Sequence, residues 1–277
     1  MVKRILVGVA GTPALQAKID CVVELAKRHD AEVAALAVVD VERLHKVGAV
    51  PLGGATYAQK LAEKRVANSQ ISCEEALASC ESACRSANVP IRLIRQEGDP
   101  LQVLAAVWRY YDLCVLGARG WFDYDVVPEP HAALLKLVSA GVRPVLAVTE
   151  GMRPPKKALI AYNGSIESAR AMKRFLQMSL WPDMHAHIAC VNPPKVQEDA
   201  QSMLEEAASF ARAHGYETSV AQIEGVPWSA LMNQAAEIDA DIIVLGSSAR
   251  RVLLTRRFGK NVLQLIQSSD RPLFLSN

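Results

Sequence analysis

Three blocks of this 277-residue chain occur twice, in the same order. RILVGVAGT at 4–12 matches KALIAYNGS at 157–165. EGDPLQVLAAVWRYYDLCVLGARG at 97–120 matches EGVPWSALMNQAAEIDADIIVLGSSA at 224–249, and RPVLAVTE at 143–150 matches RPLFLSN at 271–277. Repetition on this scale means one folding unit used twice. It divides the chain into residues 1–150 and 155–277, with the proline-bearing EGMRPPKK as a short linker.

Each unit alternates short apolar runs with helical spacing. Ile5 to Val9 and Leu159 to Tyr162 lead through a Gly-Thr or Gly-Ser turn into the amphipathic stretches ALQAKIDCVVELAKRH and SIESARAMKRFLQMS. A second run (EVAALAVV, HAHIACV), a long helix, a third run (IRLIRQ, ETSVAQI), a Gly-x-Pro helix start, the run before Gly117 or Gly246, a final helix and a last strand complete it. Strands alternating with helices pair in parallel through right-handed crossovers. The expectation is two tandem copies of a five-stranded, parallel, doubly wound, Rossmann-like α/β domain, each superposing on the other. One continuous sheet, or antiparallel cores, would contradict it. Ligands of such sheets bind beyond the carboxyl ends of the strands, near the reversal of strand order, so the loops after the first and fourth strands are where chemistry is sought.

Composition excludes several function classes. The net charge of +2 is too small to make the whole molecule a binder of nucleic acid or of a membrane surface, so anion recognition has to be local. No apolar run reaches the eighteen or so residues of a membrane-spanning helix. MVKRILVGVAGTPALQA imitates a short signal peptide, but its pattern recurs at PKKALIAYNGS deep in the chain, which identifies a strand. The six cysteines form no CxxC pair and no zinc-ligand spacing, which suits a reducing cytoplasm.

The stretch LGSSARRVLLTRRFGK at 245–260 admits two readings. A glycine at the end of an apolar run, DIIVL, fits a backbone cradle for phosphate. Arg250, Arg251, Arg256, Arg257 and Lys260 equally fit a solvated basic face that would hold any polyanion.

Taken together, the opening strand with its Gly-Ser or Gly-Thr turn, the EGDP and EGVP helix starts, the LG strand end and the closing RP strand resemble the universal stress proteins, in particular the tandem two-domain members. The resemblance covers nearly the whole chain. It implies the adenine-nucleotide α-hydrolase-like form of the fold. For many members it also implies ATP held by a loop of Gly, two residues, Gly, nine residues, Gly and then Ser or Thr; other members lack the loop and do not bind ATP. In the second half this motif falls on Gly246, Ala249, Gly259 and Lys260 with its spacing intact. Ala249 replaces a glycine, and Lys260 replaces a hydroxyl that can approach magnesium, whereas an ammonium only donates. At the end of the first strand, where ATP-binding members usually carry aspartate, stand Ala10 and Asn163. Arg250 beside the phosphates, Ser165 and Val191 complete the implied site for ATP or another adenine nucleotide, with no metal assigned. In the first half Gly117 and Gly120 are present, but the third glycine falls on Pro130 or His131, and Asp123, Asp125 and Glu129 would repel a triphosphate. The nucleotide site is expected in the second half alone.

Other residues invite weaker readings. The insertion at 40–70, with Gly48, Pro51, Gly53 and Gly54, reads as a lid, a partner surface or a loosely packed connector. Cys73, Cys80 and Cys84 share one helical face and read as core rather than as metal ligands. His185 and His187 point to one face of their strand; an exposed sheet end is favoured over a two-histidine metal site. No nucleophile elbow, zinc-protease motif or Walker sequence is present, so no turnover is expected beyond slow nucleotide hydrolysis. The leading function is a cytoplasmic, stress-response regulatory protein that binds adenine nucleotide. The alternatives are a ligand-free interaction module and, third, an ATP-hydrolysing or adenylating enzyme. The closing strands RPVLAV and RPLFLS are candidates for pairing, between the halves as a pseudo-dimer or between subunits as a homodimer.

Overall fold

The computed structural model describes residues 2–46, 54–120, 130–140, 144–192, 197–246, 249–252, 255–258 and 260–277. In the first half the elements are β1 (Arg4–Gly8), α1 (Leu15–His29), β2 (Glu32–Val39), α2 (Val41–Leu44), α3 (Ala55–Ser86), β3 (Ile91–Glu97), α4 (Pro100–Trp108), β4 (Leu113–Gly117), α5 (Pro130–Ala140) and β5 (Val145–Val148). The second half runs β6 (Lys157–Ala161), α6 (Ile166–Met178), β7 (His185–Val191), α7 (Gln197–Ala213), β8 (Glu217–Ile223), α8 (Pro227–Glu237) and β9 (Ile242–Gly246). It continues through β10 (Ala249–Val252), β11 (Thr255–Phe258), α9 (Lys260–Ser268) and β12 (Leu273–Ser276).

Both halves show the anticipated doubly wound order, β3-β2-β1-β4-β5 and β8-β7-β6-β9-β12, parallel throughout. The expectation of separate sheets needs correction. β5 and β12 pair antiparallel, Leu146 opposite Phe274, and join the halves into one ten-stranded sheet. The reason lies in the sequence of the two edges: VLAV and LFLS are buried on both faces, and two such edges left open would expose unpaired backbone and apolar side chains together. The closing strands are therefore used within the chain.

A continuous apolar layer covers each face of the sheet. On one face α1, α3, α6 and α7 pack through Val22, Leu77, Phe175 and Leu204, with Phe175 edge-on to Phe274 of β12 at 5.1 Å between ring centroids. The other face carries α4, α5, α8 and α9, through Leu104, Leu134, Leu231 and Ile266. Across the seam, Trp181 Nε1 donates to the Glu24 carboxylate at 3.0 Å.

Several side readings resolve here. Residues 55–70 of the insertion are not a loop but the opening turns of the 32-residue helix α3; residues 47–53 lie outside the described residues. Cys73, Cys80 and Cys84 are buried in the core, as are the other three cysteines. His185 Nε2 and His187 Nδ1 each stand 2.7 Å from Ser219 Oγ, and Gln234 of α8 covers His187. His187 is only 8% exposed, so the expected exposed sheet end is corrected to a covered polar cluster. Burial, with the charges of His185 and Lys157, holds its imidazole below the usual range. No group of three or more metal-ligating side chains occurs among the described residues. Nor is any described helix long and apolar enough to cross a membrane.

Candidate functional site

The strand-order reversal of the second half lies between β6 and β9, and there the chain turns twice. After β6 the backbone passes Asn163 and Gly164, whose φ of +74° lies in the left-handed region that a side chain disfavours. Asn163 Oδ1 accepts from the Ser165 amide at 3.1 Å. Ser165 then caps α6, its Oγ accepting from the Ser168 amide at 3.2 Å. These bonds fix the entry of α6, and the Asn163 side-chain Nδ2 has no partner among the described residues. On the other side Gly246 ends β9 against that helix start. A Cβ there would fall 2.5 Å from the Glu167 carbonyl oxygen and 2.8 Å from the Ser168 nitrogen, so glycine alone lets strand and helix close together.

A third turn brings α8 to the same place. Asn192, just beyond β7, holds both polar groups of Gly225: its Oδ1 accepts from the Gly225 amide at 2.9 Å and its Nδ2 donates to the Gly225 carbonyl at 2.7 Å. Pro227 then opens α8, placing Trp228 at the rim.

These turns enclose a cavity of about 280 Å³. Four anticipated residues, Asn163, Ser165, Val191 and Gly246, share its wall with Tyr162, Glu167, Trp228 and Leu231. Its wall combines the apolar and aromatic side chains of Val191, Leu231, Tyr162 and Trp228 with hydroxyls, the Asn163 amide and the Glu167 carboxylate. Glu167 has no hydrogen bond or ion pair among the described residues. Burial raises the Tyr162 phenol above its usual range. Spacing analysis did not single out Trp228, Tyr162 or Glu167, although Trp228 directly follows the EGVP turn.

The rest of the anticipated site is arranged differently from an open loop. Ala249 and Arg250 lie in β10, which pairs antiparallel with β11: Arg250 stands opposite Arg257, and Arg251 opposite Arg256. Lys260 is the first residue of α9, and Gly259 lies outside the described residues. A hairpin thus fills most of the nine-residue interval that spacing alone reads as a loop.

The first half diverges at the same points. Ala10 is fully buried, where Asn163 is exposed. Beyond it, a Cβ on Gly11 would fall 2.3 Å from Ser72 Oγ of α3, so that helix is packed hard against the turn. Asp123, Asp125 and Glu129 lie outside the described residues, as do the side chains of Pro130 and His131.

Comparison with known proteins places this geometry. The pattern of the universal stress protein family matches residues 1–135 and 155–276. A universal stress protein from Archaeoglobus fulgidus DSM 4304 superposes with a TM-score of 0.67 at 20% identity, over 99% of this chain and 96% of its own. A protein from Pseudomonas aeruginosa UCBPP-PA14 does so with a TM-score of 0.64 at 16% identity, over 99% and 93%. At these identities the likeness is one of fold. No curated protein matches the chain. With the family pattern present in both halves and a full-length two-unit relative of the same fold, the chain belongs to the universal stress protein family, as a tandem two-domain member.

Proposed function

We propose that the second half, residues 155–277, holds an adenine nucleotide and that the chain acts as a cytoplasmic stress-response regulator through binding. The observation that carries this reading is the cavity at the β6–β9 reversal, whose wall combines aromatic and polar side chains at the carboxyl edge of a doubly wound sheet. Trp228 and Tyr162 offer a stacking surface to the base, and the Asn163 amide and Glu167 carboxylate suit ribose hydroxyls. Phosphates would then lie outward, toward the first turn of α9 and the hairpin, whose opposed arginine positions disfavour pairing until an anion stands nearby. With Glu167 at the ribose, Asn163 and Lys260 would supply neither a general base nor a metal-holding carboxylate at the phosphates, which favours retention of the nucleotide over rapid turnover.

Mass spectrometry of ligand released from the purified full chain is expected to find an adenine nucleotide, and calorimetric titration of the stripped protein with ATP to show one site. Trp228→Ala is expected to weaken ATP by about tenfold or more, the usual worth of a base–aromatic stack. A protein that carries no nucleotide and gives no heat with ATP would reject the reading and leave an interaction module.

A further inference from the structure

Arg28 of α1 pairs with Glu24 and Arg85 of α3 with Glu81, each four residues apart within its helix. On α6, Arg170 and Lys173 have no such ion pair among the described residues. Arg170, Lys173 and Arg174, spaced by three and four residues, lie on one side of the helix, opposite the buried Ala171, Met172, Phe175 and Leu176. Arg170 has no hydrogen bond or ion pair among the described residues, and the Lys173 ammonium lies 5.2 Å from the centroid of the Phe210 ring. Like charges at these spacings weaken a helix, so local structure does not explain them.

The three cations line a cleft of about 390 Å³ whose far wall, Asp112 and Pro144, belongs to the first half. Among the described residues, Asp112 is the single carboxylate lining it. Its Oδ2 accepts from the backbone amides of Lys3 at 2.9 Å and Arg4 at 3.1 Å, which anchors it to the start of the neighbouring strand β1. That anchor is a duplicated feature of the fold: Asp241 Oδ2 accepts from the amides of Lys156 and Lys157 at 2.8 and 2.9 Å. The cations are not duplicated. α1, the equivalent helix of the first half, carries Asp20 and Glu24, engaged with Gln16 and Arg28. The positive face of α6 is thus an addition to one half that the shared fold does not require.

We propose that this cleft at the seam binds a multiply charged oxyanion of the diphosphate class. The Arg170 guanidinium offers a forked donor that matches phosphoryl oxygens, the Lys173 ammonium adds a point charge, and Gln177 adds an amide donor in the cleft. A ligand there touches both halves, at a distance from the nucleotide cavity and independently of it.

The test is calorimetric titration of the full chain with inorganic pyrophosphate at near-physiological salt, repeated on an Arg170→Gln, Lys173→Gln double variant. Both positions are exposed, so the fold should tolerate the change. The expected result is one pyrophosphate per chain, bound more tightly than sulfate and weakened about tenfold or more by the double variant. The inference is overturned by an absence of binding, or by several anions binding with sulfate equal to pyrophosphate, the behaviour of a screened surface. Affinity unchanged in the double variant also overturns it, since the anion would then sit elsewhere, as at the arginines of the hairpin.

Discussion

Lys18→Met is expected to stabilise the protein at neutral pH and to flatten its stability between about pH 7 and pH 10.5. Lys18 lies in α1 with no exposed surface, and its ammonium donates to the Gly8 carbonyl at 2.7 Å in otherwise apolar surroundings. Burial pushes its pKa down from 10.5 to about 7. The sign follows from linkage: the unfolded chain holds this proton up to about pH 10.5, whereas the folded chain gives it up near pH 7. Between those values the unfolded state binds more protons, so wild-type stability rises with pH through the window and is lowest at and below its acid end. At about 1.4 kcal/mol per pH unit, the linked destabilisation at neutral pH is on the order of 4 kcal/mol. Methionine removes it, less about 1–2 kcal/mol for the Gly8 carbonyl left without its donor. The Cys80 and Cys114 thiols, which face the amine, are held up by burial and, at Cys80, first by the hydrogen bond to Cys84; Cys84 is correspondingly lowered. Lys18 lowers both Cys80 and Cys114, so its removal raises them further; burial already holds both thiols above the window, so the difference between the two denaturation curves across pH 7 to 10.5 still reports Lys18. Parallel curves would show that the amine is not the buried titrating group.

Lys18 also shows where sequence patterning stops. In ALQAKIDCVVELAKRH the helical period is plain, and a lysine reads as solvent-facing; only the arrival of the Gly8 carbonyl beside it gives a charged side chain a place in the core. The duplicated blocks made both five-stranded units legible, because each block ends in a buried strand whose order the crossover rule then dictates. Pairing between the halves was legible only as a candidate. The two RP strands are marked by composition, but their antiparallel sense arises from setting two like units edge to edge. At the site, the Gly-Ser turn and the glycine closing DIIVL marked Ser165 and Gly246, and the resemblance pointed to Asn163; local hydrogen bonds and close backbone approach do hold the three together. Motif spacing could not see the hairpin at 249–258, since an interval of nine residues does not specify whether its ends are joined by a loop or by paired strands. Nor could it see Trp228, which reaches the cavity through the Asn192 clamp on Gly225, a contact across 33 residues.

Gly246→Ala is expected to lower ATP affinity by about tenfold or more and stability by about 1–3 kcal/mol, the usual cost of overpacking. The added methyl would stand 2.5 Å from the Glu167 carbonyl oxygen and 2.6 Å from its carbon, and these are backbone atoms that cannot rotate away. β9 and the start of α6 must therefore separate, which moves the Asn163–Ser165 turn and opens the floor of the cavity. The same substitution separates the cradle from the basic face. If nucleotide is held by the crevice, the loss persists at low and high salt alike, and a folded Gly246→Ala protein still binds weakly when electrostatic attraction is greatest. If the arginines of the hairpin merely attract anions, Gly246→Ala leaves ATP binding almost unchanged, and affinity for ATP, polyphosphate and DNA falls together as salt rises. Calorimetry at two salt concentrations, with a thermal melt confirming that the variant is folded, distinguishes these outcomes. The crevice result is expected because the described residues of the cavity wall include one carboxylate and no cation, so that base and ribose contacts, rather than charge, would hold the ligand there.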